Sequence, residues 1–273
     1  MRNALHLVDG LIVTTDNSGG IGEKAEDVVN VPDEVTAYFA TRVPLLEQWA
    51  ANAEPLAVLL HNFSGPASWK AYVNGVTQLF TDANCPVPTI SGSTETNMEL
   101  LQSSMAVTII GKRKAEAEKV SEEVAEQNHQ RTITENAIDL KDQECKDHQC
   151  RDQEILDKLK FNHHHDSQLE WYAYGKPLVG TAVLENQSEI ASLRIIKEAM
   201  HRGFVQRMWP VGSSGILKEF RKLTNDPTIE LQSTLDLHTS AGPSTTIIVG
   251  VPRTICNQAQ QHFNGALHKL HIR

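Results

Sequence analysis

The sequence contains no run of about 18 apolar residues, the length a helix needs to cross a bilayer, so nothing in it reads as a membrane span. Nor does Met1-Arg2-Asn3-Ala4-Leu5-His6 carry an apolar stretch of signal-peptide length. Cysteine is sparse: Cys85, Cys145, Cys150 and Cys256 are scattered and follow no disulfide framework, which makes a reducing cytoplasm the default. Basic residues do not cluster, and the formal net charge is −9, so no nucleic-acid partner is expected. An acidic chain can still hold a single nucleotide, because magnesium and helix N-termini can supply the local positive charge. Solenoid repeats are absent, as are the P-loop and the dinucleotide fingerprint.

What is present has an ordinary globular balance, 40 % apolar and 22 % charged in 273 residues. That length suffices for one large or two modest domains with a core that needs no staples. Composition divides the chain into residues 1–112, 113–170 and 171–273. In the first zone, Leu5 to Thr15 reads as a β-branched strand pair broken at Asp9-Gly10. Asp33 is placed to cap a helix whose apolar face carries Val35, Phe39, Val43, Leu46 and Trp49. A buried strand at Leu56 to Leu60, a helix from Ala67 to Asp82, and strands at Val87 to Ser91 and Met105 to Ile110 complete an α/β layer with mixed strand directions.

The middle zone is dense in charged and amide side chains and reads as a solvated helical excursion or flexible insertion. It holds Cys145, His148, Cys150 and His163-His164-His165, which are metal-ligand residue types without paired C-x-x-C spacing. In the last zone, Leu178-Val179 is strand-like and Glu185 to Arg202 reads as one helix. A helix opens at Gly212-Ser213-Ser214-Gly215, Thr245 to Val251 is a strand, and Pro252-Arg253 starts a final helix.

Two segments carry candidate chemistry. Asp16-Asn17-Ser18-Gly19-Gly20-Ile21-Gly22-Glu23-Lys24 sets an acid at a strand end before three glycines. Glycines let backbone amides approach phosphate oxygens, an acid can hold magnesium against them, and Lys24 can neutralise phosphate as a point charge. Ser91-Gly92-Ser93-Thr94-Glu95-Thr96-Asn97 offers Glu95 and Asn97 as oxygen ligands beside Thr94; the same residues also suit a capped turn before a helix. Toward the C-terminus, Gly212, Ser213 and Ser214 precede a helix, a common anion-binding arrangement. Asp236 and His238 are candidates to accept or orient the proton of a substrate hydroxyl.

Together these segments, in this order, resemble the ATP-binding superfamily of aminoimidazole ribonucleotide synthetase, thiamine-monophosphate kinase and selenophosphate synthetase. The detail is similar to the alpha-ribazole kinase branch: the glycine segment, Thr41-Arg42-Val43, Asn62-Phe63-Ser64-Gly65 with Trp69, Gly92 to Asn97, and Tyr174 to Gly180. The resemblance spans roughly 1–112 and 171–273, and Asn97 stands where relatives carry a second acid. It implies a two-domain α/β (α+β) protomer with mixed sheets, whose N-terminal domain forms a homodimer and binds ATP while the C-terminal α/β domain closes over the site. It implies magnesium on Asp16, Asp27, Glu95 and Asp9. Nucleotide phosphates would lie near Asn17, Gly19, Gly20, Gly22, Lys24, Thr94, Asn97 and Gly212 to Ser214. A small-molecule nucleoside would be phosphorylated, alpha-ribazole on its 5′-hydroxyl, in assembly of the cobalamin nucleotide loop. The glycine-rich N-terminal arm of many relatives is missing, since the first strand is expected almost at Met1. Two other readings are another ATP-dependent ligase or kinase of the superfamily, and a non-catalytic protein binding a metal or partner on this scaffold.

Overall fold

Side chains alternate along Ser104–Arg113: Met105, Val107, Ile109 and Gly111 are buried, while the residues between them are half-exposed. A segment of period two with one covered face is a strand lying under another layer. The computed structural model describes residues 3–114 and 168–273; the readings for 115–167, including Cys145, His148, Cys150 and His163 to His165, lie outside the described residues.

In the first half, β1 (Leu5–His6), β2 (Leu11–Gly19), β3 (Ile21–Gly22) and β4 (Val29–Asn30) lead into helix α1 (Asp33–Ala50). Then follow β5 (Ala53–Asn62), α2 (Ser68–Asp82), β6 (Thr89–Thr94) and β7 (Ser104–Arg113). The main sheet has the order β1-β2-β7-β5-β6. Only β5 and β6 run parallel in it, and α2 supplies the crossover that a parallel pair needs. Register sets Asp16 beside Val107, Val107 beside Leu60, and Leu60 beside Gly92.

The second half contains β8 (Leu169–Tyr174), α3 (Thr181–Glu185), α4 (Leu193–His201), β9 (Arg207–Pro210) and α5 (Gly215–Thr224). It continues with β10 (Leu231–Gln232), β11 (Ile247–Pro252), α6 (Cys256–His262), β12 (Leu267–Lys269) and β13 (His271–Ile272). Its sheet is antiparallel throughout, ordered β12-β8-β11-β9. Mixed α/β layers over two main sheets are the architecture expected from the sequence.

Helix α1 belongs to both halves. It packs on β2, β5, β7 and α2, and it also meets β9 of the second sheet. One continuous apolar cluster runs from Leu45, Leu46 and Val107 to Tyr174, Ile196 and Val249. Two buried polar side chains fix the helix. The Gln48 amide donates to the carbonyls of Ile12 (3.1 Å) and Ile109 (2.9 Å), tying α1 to β2 and β7. Arg42 is 2 % exposed; its Nε–H donates to the Ser244 carbonyl at 3.1 Å and its Nη2 to the Ala191 carbonyl. Burial lowers its pKa to about 10.

Several element boundaries differ from the sequence reading. Pro32 occupies the cap position of α1, and Asp33 is its first residue, with no side-chain cap bond. The helix expected over Glu185 to Arg202 is interrupted at Gln187 to Ser192 and begins at Leu193. The interruption follows from Ala191, whose amide donates to Thr245 (2.9 Å) and whose carbonyl is taken by Arg42, so neither is available to a helix. Leu178-Val179 is not a strand; the Leu178 amide donates to the Thr245 hydroxyl at 3.0 Å instead.

Arg42→Ala should destabilise the fold by about 3 kcal/mol, because two buried carbonyls lose a charged donor. The check is the urea midpoint at neutral pH; a midpoint equal to wild type would show that Arg42 does not join the halves.

Candidate functional site

Along β2 the buried side chains Ile12 and Thr14 face α1, and the period of two puts Asp16 on that same face. There β2 passes the start of α1 and a cavity of about 400 Å³ opens. One side is made by Asp16, Asn17, Ser18 and Gly19 with Val29 and Val31. Val35, Thr36, Phe39, Ala40 and Val43 of α1 form the floor, and Val179, Gly180, Val183 and Leu184 flank it. Gly212, Ser213 and the segment Gly242-Pro243-Ser244 close the circuit. A larger open groove of about 1120 Å³ shares Val35 and Phe39 and runs past Tyr38, Arg42 and Tyr174, but it touches none of the candidate metal, phosphate-binding or catalytic residues.

The glycine segment is a continued strand rather than an open phosphate cradle. Strand β2 extends to Gly19, and the Gly20 amide donates to the Ser103 carbonyl at 2.8 Å. The Gly20 carbonyl accepts from Val28 (2.8 Å) and Val29 (3.2 Å). Gly22 is required by contact: a Cβ there would lie 2.4 Å from the Ser103 hydroxyl. The Lys24 ammonium donates to the Leu100 carbonyl at 2.6 Å, so it pins a neighbouring loop.

Four acids were expected to share a metal, and the structure separates them. Asp27 accepts from the Lys24 amide (2.9 Å) and the Ser103 amide (2.7 Å). Burial opposes its charge, but the bonds from Ser103 and Lys24 outweigh it and hold the carboxyl below the ordinary range. Glu95 accepts from the amides of Asn97 (2.6 Å) and Met98 (3.1 Å), which lower its pKa. That is the capped turn, although no helix follows it. Glu95 follows β6, three strands from β2, and lies roughly 14 Å from Asp16 across the sheet and about 10 Å further along it. Asp9 is exposed at the other end of β2, roughly 20 Å along the strand. Among the described residues no group of three His, Cys, Asp or Glu side chains is placed to hold a metal ion. The described residues do not fit a multi-carboxylate magnesium site within one chain.

Thr94 accepts from the Asn62 side-chain amide at 3.2 Å, the same amide closes the Asn62 to Gly65 turn by donating to the Gly65 carbonyl at 2.7 Å, and Asn97 is exposed. Of the C-terminal candidates, Gly212 and Ser213 reach the cavity. Ser214 stands at the start of α5, where the Gly215 amide already donates to Gly212 (3.3 Å) and the Leu217 amide to Leu237 (3.0 Å). Asp236 and His238 are exposed and outside the cavity lining. Asp236 accepts from the Thr239 hydroxyl and from the His238 amide at 2.8 Å, and these bonds lower its pKa. It caps its own loop.

The structure therefore brings together Asp16, Asn17, Gly19, Gly212 and Ser213. It adds residues that the sequence reading did not assign to a site, chiefly Phe39, Val179, Val183 and Ser244. Ser244 has a left-handed backbone (φ 53°), gives its carbonyl to Arg42, and keeps a buried hydroxyl without a hydrogen-bond partner among the described residues. Nothing in a lone serine after Gly-Pro announces that position.

No protein-family model matches the sequence, and no curated protein sequence matches it. Solved structures do match in fold. PurL of T. maritima complexed with ATP superposes with a TM-score of 0.54 at 11 % identity, over 99 % of this chain and 42 % of that one. The hydrogenase maturation protein HypE of E. coli gives 0.55 at 10 % identity, over 97 % of this chain and 79 % of that chain. Thiamine monophosphate kinase of Aquifex aeolicus gives 0.51 at 9 % identity, over 99 % and 86 %. The chain thus spans less than half of PurL's length and most of the other two, and it shares their mixed α/β fold.

Two acids beside the glycine segment should respond to pH with opposite signs. Asp33 is 4 % exposed; burial, with Glu23 and Asp27 nearby, raises its pKa against the Ser68 hydroxyl. A carboxyl with a raised pKa contributes most below its unfolded value and loses that contribution as pH rises through the folded one. Asp33→Asn should therefore raise the melting temperature at pH 7, with the gain vanishing near pH ~4. Asp27, with its lowered pKa, contributes above the unfolded value and loses that as pH falls. Asp27→Asn should cost about 1 kcal/mol at pH 7 and less in acid. Melting curves from pH 3 to 8 check both; shifts of the same sign would refute the assignment.

Proposed function

We infer that the chain is an ATP-dependent small-molecule kinase, with alpha-ribazole as the phosphoryl acceptor. The observation that carries this reading is Asp16, an acid turned toward a cavity otherwise bounded by glycines, hydroxyls and apolar side chains. The shared fold supports it, since the neighbours include a structure complexed with ATP and a thiamine monophosphate kinase. The ordered motifs that resemble the alpha-ribazole kinase branch supply the acceptor.

In this reading the substrate hydroxyl donates a hydrogen bond to the Asp16 carboxylate, which orients the oxygen and takes its proton as the new P–O bond forms. The γ-phosphoryl moves to that oxygen and ADP leaves. Asp236, whose carboxylate accepts from its own turn, and His238, exposed beside it, both lie outside the cavity lining and are not given this role. A homodimer through the main sheet belongs to the same reading: Val13, Ala106 and Ile110 are half-exposed on the face away from α1, where a second copy would cover them.

Incubation with ATP, magnesium and alpha-ribazole should yield ADP and a riboside monophosphate, resolved by chromatography. Turnover of thiamine phosphate or formylglycinamidine ribonucleotide in its place would overturn the acceptor. Asp16→Asn should lower kcat/KM by roughly 10²-fold with the melting temperature kept; unchanged kinetics would remove Asp16 from the chemistry.

A further inference from the structure

Arg42 lines the open groove of about 1120 Å³, and no carboxylate bonds to it among the described residues. Its Nε–H donates to the Ser244 carbonyl at 3.1 Å and its Nη2 to the Ala191 carbonyl. Nη1 has no partner among the described residues, and it is not one of the enclosed unpaired atoms, so it is reached from the groove. A guanidinium carries five donors in a planar fork. The two carbonyls take the Nε and Nη2 edge of that fork, and the edge that includes Nη1 is left to an acceptor from outside. A carboxylate matches such an edge in plane and in charge. It would also supply the counter-charge that two neutral carbonyls do not; burial of the uncompensated cation lowers its pKa to about 10.

The other charged walls of the groove are mostly acidic. Glu189 is paired with Lys176. Glu34 accepts from the Asn74 side-chain amide and Asp82 from that of Gln78, both at 2.8 Å, and neither forms an ion pair among the described residues. His268 is neutral at pH 7, since burial and then Lys176 lower its pKa. Tyr38 stands between the two signs: burial raises its pKa, Arg42 opposes the rise and Asp82 adds to it. Glu34, Tyr38 and Arg42 are spaced four apart and share one stripe of α1. Along the axis Tyr38 is about 6 Å and Glu34 about 12 Å from Arg42.

Two unpaired carboxylates oppose a polyanion such as a nucleotide, and the guanidinium opposes a polyamine. A zwitterion satisfies both signs. We propose that this groove binds a short peptide of two or three residues, its C-terminal carboxylate on the Nη1 edge of Arg42 and its N-terminal ammonium at Asp82 and Glu34. An extended chain of that length separates its end charges by roughly 7–10 Å, within the spacing that α1 provides. Recognition through the two termini leaves the peptide's side chains unselected. The groove is distinct from the Asp16 cavity, and peptide binding does not depend on the kinase reading.

The test is calorimetric titration of the full chain at pH 7 and low salt with dialanine and trialanine, each also N-acetylated or C-terminally amidated. At least one free peptide should bind wild type, and either cap should weaken it at least tenfold. The double variant Glu34→Gln with Asp82→Asn changes an exposed and a half-exposed side chain without altering their size, so its melting temperature should stay within a few degrees. It should bind the free and N-acetylated forms equally. Arg42→Gln, measured where it still melts cooperatively, should bind the free and amidated forms equally; if it does not fold, amidation in wild type tests the same contact. Binding of neither free peptide, affinity that either cap leaves unchanged, or a folded double variant that still prefers the free amine overturns the proposal. Spermidine or a non-hydrolysable ATP analogue displacing the bound peptide at lower concentration than the peptide itself also overturns it, by assigning the groove to a cation or an anion.

Discussion

A single buried guanidinium holds the two halves of this protein in register. Arg42 sits on α1, out of water, and bonds to carbonyls of two segments from the other half, at Ala191 and Ser244. A buried charge without a carboxylate is expensive unless its donors are satisfied, so the loops that supply the carbonyls must arrive in one arrangement. Both consequences are visible. The helix expected through Ala191 is interrupted there, and the Gly242-Pro243-Ser244 turn is brought against α1, where it closes the cavity.

The acids of the glycine segment show how similar residue types divide between architecture and site. Asp27 and Glu95 spend their oxygens on backbone amides, Glu95 within its own turn and Asp27 on Lys24 nearby and Ser103 far along the chain. Those bonds lower their pKa values, as a metal or a lysine would; for Glu95 the cause is local capping, and for Asp27 it is Ser103 from across the chain together with the Lys24 amide. Asp33 is the reverse case, a carboxyl buried at the first turn of α1 beside Glu23 and Asp27, which the fold tolerates at a cost in stability. Asp16 is the one of the four expected metal ligands that reaches the cavity, and strand alternation places it there.

The remaining cavity wall is unlike a phosphate cradle. Of its glycines, Gly19 lies within the β2 ladder, and its floor is the apolar face of α1.

The main strands and both helices of the first half were legible in the sequence because they depend on local period: Met105 to Ile110 alternates, and α1 and α2 repeat their apolar faces every three to four residues. Asp16 was legible for the same reason, at the polar end of an apolar strand. Strands β9, β12 and β13 are short and take their partners from distant segments, so no local pattern marked them. The occupation of Asp27 by the distant Ser103 amide, the break at Ala191, and the place of Ser244 in the cavity were decided only by tertiary structure. Each depends on a partner far along the chain or on a carbonyl whose direction a residue's identity does not encode. Residue type established which groups could bind metal, phosphate or proton; the packing around α1 decided which of them were left to do so.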